Sequence, residues 1–179
     1  MTNRLSLYYQ LTKPGIIYGN ALVAAAGFAY ASHGSFNWVL FLSLLSGLSL
    51  VIASACVFNN YYDRVIDAHM TRTQKRALVS GDIHPTHALY FGTMLGLVGM
   101  GLLFFFTTPV ALYVGIVGWV IYVALYTPLK HKSGHALWVG ALAGATPPVA
   151  GYAAVTNTID IHAFWLFIFL FLWQIPHFI

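Results

Sequence analysis

Asn59, Asp63 and Asp67 stand four residues apart in Phe58-Asn59-Asn60-Tyr61-Tyr62-Asp63-Arg64-Val65-Ile66-Asp67. On an α-helix that spacing puts three oxygen-bearing side chains on one face, drifting about 40° per step. The chain has four acidic residues, and two of them lie in this stretch. The preceding residues, 38–58, are almost wholly apolar, so the trio projects from the end of a membrane helix. Ionisable groups at membrane depth are costly and usually functional. Hard oxygen donors in this pattern suit Mg²⁺, which binds through one or two carboxylates together with substrate phosphates.

Arg72, Lys75 and Arg76 follow closely. Arg72 and Arg76 are again four apart, so a helix there would aim both at one spot. Guanidinium forks match phosphate oxygens two at a time. Metal-binding carboxylates and arginines on one segment make a Mg²⁺–diphosphate clamp, with the cations holding the leaving group. Asn59, Asp63 and Asp67 are therefore expected to face one cavity, near Arg72 and Arg76. The residues alone leave a second reading open, in which Asp63 or Asp67 merely pairs with Arg64 at a solvated surface.

The elements that carry these groups follow from composition. Of 179 residues, 59% are hydrophobic and 7% charged, more apolar surface than a soluble domain of this size can bury. Apolar stretches near 16–33, 37–58, 88–107, 109–127, 136–156 and 161–178 predict about six membrane helices. The fold class is all-α, a polytopic transmembrane bundle forming a single domain over 1–179.

All eight lysines and arginines fall in the N-terminal segment, the 59–87 connection or the 126–135 connection. The alternate connections hold none. This asymmetry predicts a cytoplasmic N-terminus and cytoplasmic basic loops, which face each other across one mouth. It also accounts for the net charge of +4 without nucleic acid: the basic patch faces anionic lipid or an anionic substrate. No cleavable leader is recognisable. Cys56, alone of its kind, reads as a buried packing residue, and Asp82 and Asp160 read as loop residues.

Gly140, Gly144, Pro147, Pro148 and Gly151 punctuate the fifth apolar stretch. The prolines predict a kink and the glycines a close helix approach, with packing and pocket-lining roles both open. The sequence stops at Trp173-Gln174-Ile175-Pro176-His177-Phe178-Ile179, within an apolar stretch and without a polar tail. That sets the expectation of a partial chain. His177 reads on residue type as a satisfied core histidine, with haem-iron ligation or proton transfer as the sharper alternative. Aromatic residues inside the bundle could shield an isoprenoid chain or an allylic cation.

Together these segments resemble the UbiA-type intramembrane prenyltransferases. Asn-x-x-x-Asp-x-x-x-Asp matches that family's first aspartate-rich motif. Leu11-Thr12-Lys13-Pro14-Gly15-Ile16, Met70-Thr71-Arg72-Thr73-Gln74-Lys75-Arg76, Pro147-Pro148-Val149-Ala150-Gly151-Tyr152 and Trp173-Gln174-Ile175-Pro176-His177 match its haem-farnesylating branch. Asn60 stands where relatives with aromatic acceptors usually carry Asp.

The resemblance implies the N-terminal part of a nine-helix fold in a bacterial inner membrane. It implies Mg²⁺ as cofactor and farnesyl diphosphate and haem b as substrates. The farnesyl group would join a haem vinyl, giving the hydroxyethylfarnesyl side chain of haem O for terminal oxidases. By the same resemblance Asn59, Asp63 and Asp67 hold Mg²⁺ as the catalytic set. Arg72, Lys75 and Arg76 grip the diphosphate, and His177 is the haem-binding candidate. Association with other haem-handling membrane proteins would fit. The family's second acidic motif lies beyond Ile179, so a chain stopping there is expected to be inactive alone. A prenyltransferase for a quinone precursor, an inactive fragment and a non-enzymatic membrane subunit stay open as alternatives.

Overall fold

The computed structural model describes residues 4–178, with side chains through Pro176. His177 therefore lies outside the described side chains. A short helix, α1 (Arg4–Leu11), turns through Lys13 into α2 (Pro14–Ser32). The long α3 (Trp38–Asp67), α4 (Pro85–Phe106) and α5 (Pro109–Val120) follow. A π-helical turn (Ile121–Tyr126) then leads through α6 (Thr127–Leu129) to α7 (Ala136–Gly144), α8 (Thr146–Thr156) and α9 (Ile161–Phe178). The described residues form an all-α fold, as the sequence predicts.

The starts of these helices are written locally. Pro14, Pro85 and Pro109 occupy first-turn positions, where no backbone N–H is needed. Asn37 caps α3 by accepting from the Leu40 N–H at 3.1 Å. Four helices are long and apolar enough to cross a membrane: Pro14–Ser32, Trp38–Asp67, Pro85–Phe106 and the continuous Pro109–Leu129. The chain is a multi-pass membrane protein.

One expectation needs correction. The span expected at 136–156 is two helices, α7 and α8, broken at Ala145. Pro147 and Pro148 explain the break, because their rings fit only the opening turn of a new helix. The apolar stretch 37–58 lies within the 30-residue α3, which carries the polar motif to its end at Asp67, as expected.

Two close helix pairs organise the bundle. Antiparallel α3 and α4 meet through Gly47 and Gly99, and Gly96 rests on Ser54. α2 crosses α8 where Gly27 lies against the Pro148 backbone and Gly151 against that of Ala24. Small residues permit such approach where lipid offers no hydrophobic drive for association.

At the end of the bundle opposite Asp67, Asp160 ties α8 to α9. It accepts from the Tyr152 hydroxyl at 2.7 Å and from the His162 N–H at 2.9 Å, the latter in the first turn of α9. Asp160 is thus more than the loop residue its sequence context suggests. The Tyr152 hydroxyl, then the Ala163 and His162 amides, hold its carboxyl below the usual carboxylate range. A depressed folded value adds stability above the unfolded pKa, about 4, which is lost as pH falls through the folded value. Thermal unfolding of the wild type should therefore weaken on acidification below about pH 4 by more than that of Asp160→Asn. Parallel melting curves for the two across that range would contradict this account.

Candidate active site

The trio on α3 is buried on one helix face: Asn59 is 0% exposed, Asp63 2% and Asp67 6%. Each meets a basic side chain from a different segment. The Lys13 ammonium donates to Asn59 Oδ1 at 2.5 Å. The Lys130 ammonium pairs with Asp63 Oδ2, and His131 Nε2 lies 2.8 Å from Asp63 Oδ1. Arg76 reaches Asp67 Oδ2 at 2.5 Å. The two basic connections thus meet at one mouth, joined by the N-terminal elbow.

Local structure aims each group. Lys13 adopts left-handed backbone (φ 54°), which turns the chain between α1 and α2. Asn60 Nδ2 pins that elbow by donating to Leu11 O at 2.8 Å. Burial lowers the pKa of Lys13, and neighbouring Lys130 and Arg76 add to the effect. Asn59 Nδ2 donates to Thr127 Oγ1 at 3.1 Å, and that hydroxyl donates to Tyr122 O at 2.8 Å. Pro128 cannot supply the next helical N–H, and the preceding turn is widened into a π-helix. The widened turn brings Thr127 against Asn59.

The loop after Asp67 is a series of turns rather than the helix that would align Arg72 with Arg76. Thr73 Oγ1 donates to Asp67 O at 2.9 Å and Gln74 Nε2 to Ala68 O at 3.3 Å, satisfying carbonyls that a continuing helix would use. Arg76 consequently reaches Asp67, whereas Arg72 and Lys75 are exposed and have no ion pair among the described residues. Arg64 does not pair with Asp63 or Asp67. Its guanidinium lies 4.0 Å over the Tyr61 ring and donates to Tyr61 O.

One turn before Asn60, Cys56 opens a cavity of about 360 Å³. Its walls include Gly15 and Asn20 of α2, Trp119 and Tyr122, Gly140 and Gly144 of α7, Pro147 and Gln174. Gly140 accommodates the Tyr126 ring and Gly144 the Gln174 amide, so the small residues serve packing and pocket alike. Asn59, Asp63 and Asp67 are not among the lining residues; they stand beyond the Cys56 end of the cavity on the same helix.

Sequence reasoning did not single out Lys13, Thr127, Lys130 or His131 as site residues. The available signal was that both basic connections lie on one side of the bundle. Which basic residue meets which oxygen depends on helix packing.

The donor set suits Mg²⁺: three hard oxygen-bearing side chains share a buried face, each met here by a hydrogen-bonding or cationic head. Two carboxylates and a carboxamide are too few for an all-protein cage and agree with a metal shared with substrate phosphates.

The helical membrane bundle thus brings together an acidic motif, a ring of basic heads and an apolar cavity below them. The UbiA prenyltransferase family model matches residues 20–179, and the chain belongs to that family. It is 49% identical over 171 residues to the protoheme IX farnesyltransferase of Enterobacter sp. (strain 638), covering 95% of this chain and 58% of that protein. Against the protoheme IX farnesyltransferase of Pseudomonas syringae pv. syringae (strain B728a) the identity is 48% over 174 residues, covering 97% and 59%. The chain thus spans less than two thirds of the curated relatives it matches.

Among solved structures, a digeranylgeranylglyceryl phosphate synthase superposes with TM-score 0.82 at 19% identity, covering 94% of this chain and 58% of that one. A UbiA homologue from Aeropyrum pernix K1 gives TM-score 0.63 at 17% identity, covering 97% and 61%. Both likenesses concern the fold.

Proposed function

We propose that this protein takes part in transfer of a farnesyl group from farnesyl diphosphate to a vinyl group of haem b, giving haem O. The observation that carries the reading is the buried Asn59–Asp63–Asp67 face, ringed by Lys13, Lys130, His131 and Arg76, directly above an apolar cavity. The identity of almost half to relatives named protoheme IX farnesyltransferase supports haem as the acceptor.

In this reading Asn59, Asp63 and Asp67 hold Mg²⁺, which neutralises diphosphate charge when bound. Lys13, Lys130 and Arg76 exchange their present oxygen partners for diphosphate oxygens. Arg72 and Lys75, exposed on the same loop, meet the diphosphate as it arrives. As the farnesyl carbon–oxygen bond breaks, these cations take up the charge of the leaving group. The apolar cavity holds the isoprenoid, with Trp119, Tyr122 and Tyr126 beside the developing allylic cation. A bond then forms between the farnesyl carbon and the outer carbon of the haem vinyl, and water adds to the cation left on the inner carbon and loses a proton, which supplies the hydroxyl of the product. His177 is assigned a haem contact.

The basic mouth faces the cytoplasm of a bacterial cell, with the bundle in its inner membrane. Haem-handling membrane proteins are the natural partners on either side of the step. Membranes carrying the full chain, given haem b, farnesyl diphosphate and Mg²⁺, should yield haem O on extraction and chromatography. Prenylation of a quinone precursor without haem O would replace this reading by the quinone alternative. Formation of neither product would reject the transferase assignment.

A further inference from the structure

Five α3 residues line the cavity: Leu48, Val51, Ile52, Ala55 and Cys56. Their spacing is one continuous helix face, so the cavity runs along α3. At the far end Leu48 is 3% exposed and belongs to the packed cluster of Ala24, Val114, Val149 and Tyr152. Across from it Gly115 of α5 presents no side chain, and a Cβ there would lie 3.8 Å from Leu48 and 3.2 Å from Leu103. The cavity thus closes against solid core at Leu48.

The depth follows from helix geometry. From Leu48 to Cys56, the first and last α3 residues of the lining, the helix rises about 12 Å. An extended carbon chain advances a little over 1 Å per covalent bond, so a four-bond isoprene unit spans about 5 Å and three units about 14 Å. Three units reach from the floor to just past Cys56, which leaves the turns from Asn59 to Asp67 for the diphosphate. A fourth would run into Leu48, and two would leave the bottom turn empty. Ile52, half-buried, lines the cavity one turn nearer the mouth, about 6 Å up, or a little over one isoprene unit.

We infer that Leu48 is the floor that sets the isoprenoid chain length, with Ile52 marking the level one unit shorter. This rests on the transferase reading above and adds two specificity-determining residues to it.

The test compares geranyl, farnesyl and geranylgeranyl diphosphates, each with Mg²⁺, binding to the full chain in lipid nanodiscs by calorimetry. The wild type should favour farnesyl over geranylgeranyl diphosphate at least about tenfold, the scale on which a closed apolar pocket discriminates by size. Leu48→Ala should remove most of that preference by admitting the longer chain. Ile52→Phe should shift the optimum to geranyl diphosphate. A wild type that binds geranylgeranyl as tightly as farnesyl diphosphate overturns the floor assignment without any variant. So do folded variants that keep the wild-type order. A wild type that binds none of the three, with or without Mg²⁺, overturns the transferase reading itself.

Discussion

Asp63→Ala in the membrane-inserted full chain is expected to lower haem O formation on the order of 10²–10³-fold. Asp63 stands at the centre of the polar site, 2% exposed, with Lys130 on one carboxylate oxygen and His131 on the other. On the proposed reading its removal takes away a metal donor. It also leaves two basic heads without their counter-charge, which disturbs the group that must receive diphosphate. The same exchange at Arg76 should cost more activity than at Arg72, because Arg76 engages the buried Asp67 whereas Arg72 is exposed. Haem extraction and chromatography give the rates, and protease protection of the membranes checks that each variant is inserted. Near-normal turnover in Asp63→Ala would sink the assigned role, and an Arg72→Ala loss larger than that of Arg76→Ala would reverse the ranking.

Gly151→Leu is expected to destroy the folded bundle rather than merely slow the reaction. A Cβ at Gly151 would lie 2.0 Å from Ala24 O and 2.9 Å from Phe28 N, both backbone atoms of α2. Neither atom can swing aside as a side chain does, so α2 and α8 must separate along their crossing. Gly27 meets Pro148 O equally closely, at 2.1 Å to its ideal Cβ, so the pair has no slack on either side. Overpacking an ordinary core costs about 1–3 kcal/mol, and a backbone clash between two helices exceeds that. The total stability of a domain is only about 5–15 kcal/mol. Gly101→Leu is the control, since a Cβ at Gly101 meets nothing within 4 Å. Thermal unfolding in detergent should show a cooperative transition for the control and none for Gly151→Leu. Equal melting of the two would show that the helix crossing is looser than the structure describes.

The residues by themselves determined the class of the molecule and the location of its polar motif. An apolar fraction of 59% and 7% charge require a membrane bundle. A four-residue spacing forces Asn59, Asp63 and Asp67 onto one face wherever the chain is helical, and α3 is helical through Asp67. The prolines at 14, 85 and 109 fixed helix starts for the same local reason, their missing N–H. Local rules were less informative after Asp67. Arg72 and Arg76 share a helix spacing, yet Thr73 and Gln74 satisfy the last carbonyls of α3 and the chain turns instead. The break at Ala145 was readable as a kink but not as two separate helices. Three of the four basic partners of the acidic motif were decided by packing alone. Lys13, Lys130 and His131 are 46, 67 and 68 positions from the oxygens they meet, and no periodicity spans such separations. They converge because the α1–α2 elbow is pinned by Asn60 and because the π-turn before Thr127 brings the second basic loop over α3. The cavity below has the same origin: glycines from several helices leave the space, and only the crossing of those helices puts their bare faces opposite one another.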